Sequence, residues 1–555
     1  MLDITFESNP MPVAIPRTFR SAGRIFMLTR FLTACSVAVA LPLLAQQAHP
    51  PNGAAIPIVQ LTGGGAYPAG EEPPLRKADE PSTWNMEVVG RDDLQGRSAY
   101  QPIIISQNGR AIAYVGHHDN QKPIVNPMTG KPEINGTSVV DVTDPAHPKY
   151  LAHIPSGRGG AQMVRVCSGD TLPHGVKGTW YLLRPYGNSA HEIYDVTEPA
   201  KPSKLVTIVD GLGGTHKSWW ECDTGIAYLV ANKRDEGWHG GNHLKIYDLS
   251  DPKKPVYIRD FGMVGTQPGA SGSEEGEGIH GAISAGPAKN RVYIAYGTGN
   301  EGMIAIVDRK KLLTEFKNPV NPTPEELLAP QIGHLHMSPD QGAHTTMPIF
   351  GVPVPGFQGH QEGRTRDLLL VTSEAARADN CGQNYPSSEL LQHRAAPHLA
   401  WLVDITHEAT PWPLSTFRVQ ETQGDYCGRG GRFGAHSSAE SFYPPYYGKI
   451  AVFAWFNAGV RIWDIRDPFA VHEVGYFVPP ANQNTVPTCA NAETREGGEF
   501  GTETATSKCK KVGVTNNVEI DNRGLIYAAD RAGGGLHILR LTGYAKQIVS
   551  SQASN

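Results

Sequence analysis

The sequence predicts an all-β protein, a seven-bladed β-propeller with four-stranded blades around a central channel. Three observations predict it. A short motif repeats along the chain, alternating or apolar strands flank its copies, and turn-forming residues are abundant. The 555 residues include 61 glycines and 44 prolines, a composition typical of short strands joined by many turns.

The repeated motif is an apolar run that ends in aspartate and leads into a proline-bracketed turn. Seven copies follow one another at intervals of 53 to 96 residues. They read TSVVDVTDPAHP, HEIYDVTEPAKP, LKIYDLSDPKKP, IAIVDRKKL, WLVDITHEATPWP, VRIWDIRDPF and a degenerate LHILRL. In chain order, the apolar runs of the seven copies end at Asp141, Asp195, Asp248, Asp308, Asp404, Asp464 and Arg540. Because aspartate accepts hydrogen bonds from turn amides and proline stops strand pairing, we expect these aspartates to be structural.

Each motif copy lies between further predicted strands. RVYIAYG and KIAVFAWF precede two of the copies, and KYLAHIP and VYIRDFG follow two others. This spacing gives about four strands per unit, which is one propeller blade. With its hydrophobic run into VD, the motif resembles the repeat of the LVIVD-repeat propellers over residues 96–545. The resemblance implies the fold and leaves the reaction open.

The N-terminal region is predicted to be an export signal with an upstream extension, residues 1–45. From Met27 it reads MLTRFLTACSVAVALPLLAQQA, with a basic residue, an apolar run and a small-residue exit near Ala45. Met27 is therefore a candidate translation start. The run is too short, and interrupted by Pro42, for a stable membrane span. We expect a periplasmic or secreted protein with a Pro/Gly-rich arm at 46–95, the propeller at 96–545 and a tail at 546–555.

Six cysteines follow the predicted signal, an even number that favours three disulfides in an exported chain. Cys489 and Cys509 bracket one polar loop and are expected to pair. Cys167 and Cys222 end similar strands in adjacent repeats. The alternative, buried free thiols, suits a cytosolic protein better. No pair has the spacing of a metal-binding knuckle, so the cysteines are not predicted as ligands.

Four histidines occupy matching positions in a G-x-H pattern ahead of predicted inner strands. They are His216, His280, His344 and His436, in GGTHKSWWE, EGIHGAIS, QGAHTTMPI and FGAHSSAES. The second blade offers Gln162 in this slot, and the seventh offers Asn516 or Asn517. Because the first strand of every blade lines the channel, these side chains would form a ring around the axis.

The ring predicts a transition-metal site, with a repeated structural histidine as the competing interpretation. His334 and His336 are close enough in sequence for one of them to replace His344 as a ligand. The pairs His117/His118 and His239/His243 are predicted to be surface features. His191 and His537, within repeat strands, are predicted to pack inside the blades.

Neutral imidazoles suit iron, copper, zinc, nickel or manganese rather than calcium or magnesium. Iron or copper is favoured here, with zinc or manganese as alternatives, because octahedral iron with four protein ligands keeps two positions for a substrate and O₂. A four-histidine iron on a seven-bladed axis is similar in geometry to the centre of carotenoid-cleaving oxygenases, although no sequence motif of that family occurs here.

Carboxylates and arginines near the histidines provide candidate catalytic residues. Glu440, four residues after His436, shares its strand face and is expected to orient a ring or to act as a general base. Glu221 and Glu277 are further candidates for orienting rings. Arg432, together with Arg429, is a candidate for holding an anionic substrate. The alternative for these arginines is a solvated loop.

The sequence therefore predicts a metal-dependent oxidoreductase that acts on a small organic molecule. Two alternatives stay open: a hydrolase or lyase that uses the ion as a Lewis acid, and a non-catalytic binding propeller of the cell envelope. The net charge of −5 and the absence of like-charge blocks argue against a nucleic-acid partner. The oligomeric state is left open.

Overall fold

The structure is a seven-bladed β-propeller in which each blade is a four-stranded antiparallel sheet or contains one. It is a computed structural model that describes residues 82–119, 123–271, 278–298, 302–337, 341–354, 365–374, 398–420, 424–489, 494–495, 499–500 and 509–550. The inner strand of every blade contacts the inner strands of both neighbouring blades, including the first with the seventh. The predicted fold is confirmed.

The strands of each blade are given from the axis outward. Blade 1 contains Ala99–Gln107, Arg110–His117, Gly136–Asp141 and Lys149–Pro155. Blade 2 contains Arg165–Ser168, Trp180–Tyr186, Ala190–Asp195 and Ser203–Val209. Blade 3 contains Gly214–Trp220, Ile226–Asn232, His243–Asp248 and Val256–Phe261. Blade 4 contains Ile279–Ser284, Arg291–Tyr296, Met303–Asp308 and Gln331–His336.

The last three blades follow the same order. Blade 5 contains Thr345–Pro353, Thr365–Thr372, Ala400–Asp404 and Trp412–Phe417. Blade 6 contains Ser437–Ser438, Ile450–Ala454, Val460–Asp464 and His472–Val478, with Ser82–Trp84 as a fifth, outermost strand. Blade 7 contains Thr515–Ile520, Ile526–Asp530, Gly535–Leu541 and, outermost, Met86–Asp92.

The N-terminal segment therefore pairs with the last two blades. Met86–Asp92 lies antiparallel to Gly535–Leu541, and Ser82–Trp84 lies antiparallel to His472–Val478. These pairings give hydrogen-bond partners to backbone groups of Gly535–Leu541 and His472–Val478. They also join the first described strands of the chain to its last two blades. Within the predicted arm, Ser82–Trp84 and Met86–Asp92 thus belong to the sheets.

The motif aspartates end the third strand of their blades and cap the turns that follow. In five blades the pattern is the same, as when Asp195 Oδ1 accepts the amide of Thr197 at 2.9 Å. The other four of this kind are Asp141 with Thr143, Asp248 with Ser250, Asp404 with Thr406 and Asp464 with Arg466. In blade 4 the turn is replaced by a helix, and Asp308 caps it by accepting from the Lys311 amide. The structural role expected for these aspartates is confirmed.

Apolar side chains of the blades meet between neighbouring sheets. Seven buried clusters occupy the seven blade interfaces, for example Ile294 with Val230 between blades 3 and 4, and Val452 with Val518 between blades 6 and 7. Burying such strands on both faces is the largest favourable contribution to folding. The polar axial residues are consequently held on a rigid frame.

The remaining elements are short. The described helices are Leu94–Gly96, Arg234–Glu236, Gly286–Lys289, Arg309–Thr314, Pro324–Leu328, Tyr426–Arg429 and Gly543–Ser550. Thr323 and Glu326 form the capping box that starts Pro324–Leu328. Two small sheets complete the described part: Ile124–Val125 with Pro132–Glu133, and Pro487–Cys489 with Thr494–Arg495, Glu499–Phe500 and Cys509–Lys511. None of the described helices has the length and apolarity needed to cross a lipid bilayer.

One disulfide joins blades 2 and 3. Cys167 and Cys222 are bonded, with their Cα atoms 5.3 Å apart. Cys489 and Cys509 are directly opposite each other in an antiparallel pair, the backbone placement expected of the predicted bond. Cys381 lies outside the described residues, so the third predicted disulfide stays a prediction.

Candidate metal centre

The four G-x-H histidines lie side by side on the propeller axis, where the inner strands of blades 3 to 6 begin. Their ring centroids are 4.3 Å apart between His216 and His280, 3.9 Å between His280 and His344, and 4.4 Å between His344 and His436. Nitrogen atoms of the first three rings all lie within 4.8 Å of one another. The structure brings together all four residues selected by the sequence pattern.

The backbone explains why these side chains reach the axis. In blades 1, 3, 4 and 7 the pairing of the first two strands shifts at the axial residue, as between Ile279 and Gly281 around His280. Such a bulge redirects a side chain away from the regular alternation of the strand. The glycine of the pattern gives clearance, since a Cβ on Gly278 would lie 2.6 Å from the backbone nitrogen of Asn242.

Each ring is held through its Nδ1 atom. His280 Nδ1 donates to the carbonyl oxygen of His344 at 2.8 Å, and His436 Nδ1 donates to the carbonyl oxygen of Asn516. His216 Nδ1 bonds to the side-chain oxygen of Gln162, and His344 Nδ1 contacts the Thr345 hydroxyl at 2.8 Å. Because carbonyl oxygens only accept, at least three rings carry their proton on Nδ1 and present an unprotonated Nε2 when neutral.

The Nε2 atoms face a shared space. His216 Nε2 and His280 Nε2 are 2.6 Å apart. Two nitrogen lone pairs at that separation repel each other unless a proton or a cation lies between them. Burial is the main cause that lowers the pKa of His216 to about 3, and it lowers the pKa values of His280, His344 and His436 well below the ordinary value. The rings therefore stay neutral near pH 7.

This donor set fits a transition-metal ion. Neutral imidazoles with Nδ1 bonded to an acceptor and Nε2 directed inward are the usual form of histidine ligands. Two ligand atoms about 2.0–2.1 Å from one ion are separated by about 2.9 Å at a right angle and about 3.3 Å at the tetrahedral angle. His216 Nε2 and His280 Nε2, 2.6 Å apart, are close to the shorter of these separations. A His344 nitrogen lies within 4.8 Å of both, and His436 forms a second group of this kind with His344 and Glu374.

Two residues that sequence reasoning missed also border the ring. Tyr100, from blade 1, places its hydroxyl 3.0 Å from His216 Nε2 and 3.4 Å from His344 Nε2. Glu374, from blade 5, has carboxylate oxygens 4.0 Å from His344 Nε2 and 3.6 Å from His436 Nε2. Glu374 is thus the carboxylate nearest to the ring nitrogens among the described residues.

A sequence signal exists for Glu374, though not for Tyr100, at the end of the second strand of a blade. Because this strand runs antiparallel to the inner strand, its end lies beside the inner strand's start. His118, Glu374, Phe456 and Arg531 each come one or two residues after such a strand. The positive charge of Arg531 contributes to the lowered pKa values of His216 and His436. Reading the residues after RAIAYVGH, LLLVT, IAVFA and IYAAD would have found this group.

Arg432 and Phe456 border His436. The Phe456 ring centroid is 4.6 Å from that of His436, and the Arg432 guanidinium lies 5.0 Å above the Phe456 ring. Arg432 also lies 3.6 Å from a Glu374 oxygen. Phe456 has a φ of +36°, a strained value for a non-glycine residue of the kind that clusters at functional sites. The structure thus places the predicted anion-binding arginine beside the ring.

Glu440 belongs to a charged group next to the ring. Its oxygens bond to Lys217 Nζ at 2.7 Å and to the Arg165 guanidinium, while the four Nδ1 atoms bond to other acceptors. Burial alone would raise the pKa of Glu440, but Lys217 and Arg165 outweigh it and lower the pKa to about 2. Lys217 Nζ also donates to the Thr345 hydroxyl, which contacts His344. Glu440 is therefore two side chains away from the ring and ionised.

The other candidate residues lie apart from the ring. His334 and His336 are exposed on the outermost strand of blade 4. Neither of them therefore takes the place of His344 on the axis. Glu221 accepts two hydrogen bonds from Arg309 rather than orienting a ring. Glu277 falls outside the described residues.

Two predictions about histidines outside the ring are wrong. His117 and His118 are buried rather than surface residues, and the His118 ring packs 4.7 Å from that of Tyr100. His243 is buried in the third strand of blade 3, where its ring stacks on Trp238. Both errors arise because neighbouring blades bury the ends of strands that look exposed in the sequence. The predicted packing role of His191 and His537 is confirmed by their burial.

Comparisons with known proteins identify no family for this chain. No protein-family model matches the chain, and no curated protein matches it. Among solved structures, it is similar to Sqt1 of Chaetomium thermophilum in a crystal structure bound to the N-terminus of ribosomal protein L10. The identity is 12%, the alignment covers 82% of this chain and 99% of that one, and the TM-score is 0.42.

Proposed function

We propose that this protein is a metal-dependent oxidoreductase that binds one iron or copper ion on the propeller axis through His216, His280, His344 and His436. The observation that carries the proposal is the orientation of the rings: Nδ1 atoms are engaged by protein acceptors while Nε2 atoms face one another, as close as 2.6 Å. A bound iron or copper ion would supply redox chemistry toward a small organic substrate and O₂.

The chain's own residues have defined tasks in this proposal. Gln162 and the Asn516 carbonyl fix two ring orientations, so that little reorganisation is needed when an ion binds. Phe456 shields His436 from water, and Arg432 next to it offers a positive charge for an anionic group of a small organic substrate. Lys217 and Arg165 both pair with Glu440 beside the ring, so this wall is polar and has one positive charge in excess.

A second candidate function is a metal-dependent hydrolase or lyase, with zinc or manganese as a Lewis acid. Glu374 favours it, because a carboxylate 3.6 Å and 4.0 Å from two ring nitrogens can take up a proton during such a reaction. The redox function is preferred because a phenol, Tyr100, lies closer to the nitrogens than any carboxylate does among the described residues.

Metal analysis of purified protein tests both candidates. We expect about one equivalent of iron or copper in the wild type, and its loss in His280→Ala and His436→Ala. His191→Ala is the matched control, because His191 is equally buried but outside the ring. Circular dichroism checks that all variants are folded.

The outcomes separate the functions. Iron or copper together with O₂ consumption on candidate substrates supports the oxidoreductase, whereas zinc or manganese without O₂ uptake supports the hydrolase or lyase. Protein that binds none of the four ions contradicts both and favours a non-catalytic binding propeller.

We also propose that the protein is exported to the periplasm or secreted, and that it is a member of the LVIVD-repeat propellers. The Cys167–Cys222 bond supports the first proposal, because disulfides persist in oxidising compartments. The capped aspartates at the ends of third strands support the second. Mass spectrometry of the mature N-terminus tests export, and a start beyond residue 45 is the expected result.

A further inference from the structure

Tyr100 occupies, in blade 1, the axial position that the histidines occupy in blades 3 to 6. It lies at the register shift between Ala99 and Pro102, the same kind of bulge that directs His216 and His280 inward. Only 2% of its surface is exposed. The repeated geometry of the blades therefore brings a phenol to the same level as the imidazoles.

The orientation of the Tyr100 ring is fixed by edge-on packing. Its centroid lies 4.7 Å from that of His118, 5.4 Å from His216 and 5.9 Å from His436, with interplanar angles of 66° to 81°. Because three imidazole rings pack edge-on against the phenol ring, its orientation is fixed and its hydroxyl points toward the ring nitrogens. The hydroxyl is held in place before anything binds.

The distances match those between two ligands of one ion. Tyr100 Oη is 3.0 Å from His216 Nε2 and 3.4 Å from His344 Nε2. Ligand atoms that share an ion with bonds of about 2.0–2.1 Å are about 2.9 to 3.3 Å apart at cis positions. His280 Nε2, at 2.6 Å from His216 Nε2, completes a set of close neighbours around the same point.

Hydrogen bonding alone satisfies this arrangement poorly. A phenol has one proton, and it can donate that proton to only one nitrogen. His216 Nδ1 donates to Gln162, so its neutral ring has only an acceptor at Nε2, and the same holds for His280, which bonds to the His344 carbonyl. One proton thus faces several acceptors, a shortage that a shared cation removes.

We propose that the Tyr100 oxygen is a fifth protein ligand of the axial metal ion. The inference rests on the proposed metal site and adds to it a negatively charged donor from a blade without an axial histidine. On binding, the O–H bond breaks, an oxygen–metal bond forms and the proton leaves to water, with no change of oxidation state. The phenolate neutralises one positive charge in a ring of otherwise neutral ligands and favours the more highly charged ferric and cupric states.

The test is the visible absorption of purified protein stripped with a chelator and reloaded with Fe³⁺ or Cu²⁺. Phenolate bound to either ion gives an intense visible charge-transfer band that imidazole ligands do not give. We expect the band in the wild type and its loss in Tyr100→Phe, with the metal-to-protein ratio unchanged. Tyr114→Phe is the matched control, a buried tyrosine of the same blade whose hydroxyl bonds to Gln107. That variant should keep the band.

The results distinguish failure of this inference from failure of the metal site. If the wild type binds the ion but lacks the band, or if Tyr100→Phe keeps it, the metal site stands and Tyr100 is not a ligand. If neither the wild type nor any variant binds Fe³⁺ or Cu²⁺, the metal site and this inference both fail. A Zn²⁺ titration followed by ultraviolet difference absorption gives an independent measure of tyrosinate formation, expected in the wild type and absent in Tyr100→Phe.

Discussion

Among the described residues, histidine and carboxylate side chains converge in two regions, and these regions differ in what lies at their centre. On the axis, imidazole nitrogens face one another, and Glu374 lies to one side. In blade 3, Glu236, His243 and Asp260 come equally close, but Lys245 Nζ lies among them, 2.6 Å from Glu236 and 3.0 Å from Asp260. The difference teaches that convergent donors indicate a metal site only when the protein has not already supplied the cation.

The rest of each environment agrees with this distinction. In blade 3, Trp238 and Tyr257 also donate hydrogen bonds to Asp260, so protein donors already satisfy this carboxylate. Burial raises the pKa of Asp260 to about 6 although Lys245 opposes the shift. On the axis, protein acceptors bond the Nδ1 atoms, while no lysine or arginine lies among the Nε2 atoms within hydrogen-bond distance in the described residues. The blade 3 group is a buried ion network, and the axial ring is the proposed ligand set.

The largest expected effect comes from removing the cation of the blade 3 network. Lys245→Met leaves the buried Asp260 and the half-buried Glu236 without their partner, so we expect a loss of about 3–5 kcal/mol in the free energy of unfolding. Denaturant titration at pH 8 measures it. At pH 5 the loss should be smaller, because Asp260, with its pKa of about 6, can take up a proton.

Lys201→Met is the control for that prediction. Lys201 pairs with Glu198 at 3.2 Å, but both side chains are exposed, so its loss should change the free energy by about 0–1 kcal/mol. An effect of Lys245→Met as small as that of the control would show that the lysine does not neutralise the blade 3 carboxylates, and the contrast with the ring would be lost.

A smaller effect is expected when one ring loses its orienting acceptor. Gln162→Met removes the oxygen that holds His216 Nδ1 and should weaken metal binding about 10- to 100-fold. Competition with a chelator of known affinity measures the change. Gln331→Met provides the control, because Gln331 also bonds to a histidine, donating its side-chain nitrogen to His334 Nδ1 on an outer strand. Equal affinity in Gln162→Met and the wild type would mean that Gln162 does not position a ligand.

A further expected effect is on the pH dependence of stability, where the two regions should behave alike without metal. Burial lowers the pKa values of His216 and His243 to about 3, whereas each titrates near 6.5 in the unfolded chain. Between these values the unfolded state binds more protons, so the free energy of unfolding falls as the pH is lowered from 6.5. His216→Gln and His243→Gln should each reduce this slope by up to about 1.4 kcal/mol per pH unit.

Denaturant titrations of chelator-treated protein between pH 7 and 4.5 measure the slopes, with exposed His147→Gln as the control. Added metal should then separate the two regions. The pH dependence should become steeper in the wild type and in His243→Gln, because protons compete with the ion for the ring, and it should not do so in His216→Gln. An unchanged slope in metal-free His216→Gln would contradict the neutral state of the ring.

The features that were predicted correctly from the sequence are those that repeat along the chain. The aspartate motifs located six of the seven third strands, and the degenerate LHILRL located the seventh at Gly535–Leu541. The G-x-H pattern selected His216, His280, His344 and His436 because equivalent strands in a ring put equivalent residues at one level. It missed Tyr100 because blade 1 carries a different residue in the slot, so no repeat pointed to it.

The sequence by itself thus determined the number of blades, the ends of their third strands and the four axial histidines, since each follows from local patterns repeated at blade spacing. Only the tertiary structure decided that Tyr100, Glu374 and Arg432 join them, that Glu440 binds Lys217 and Arg165 instead of a ring, and that Lys245 fills the blade 3 group. The physical reason is that these contacts depend on strand bulges and on loops from separate blades meeting at the axis, which no single stretch of sequence encodes.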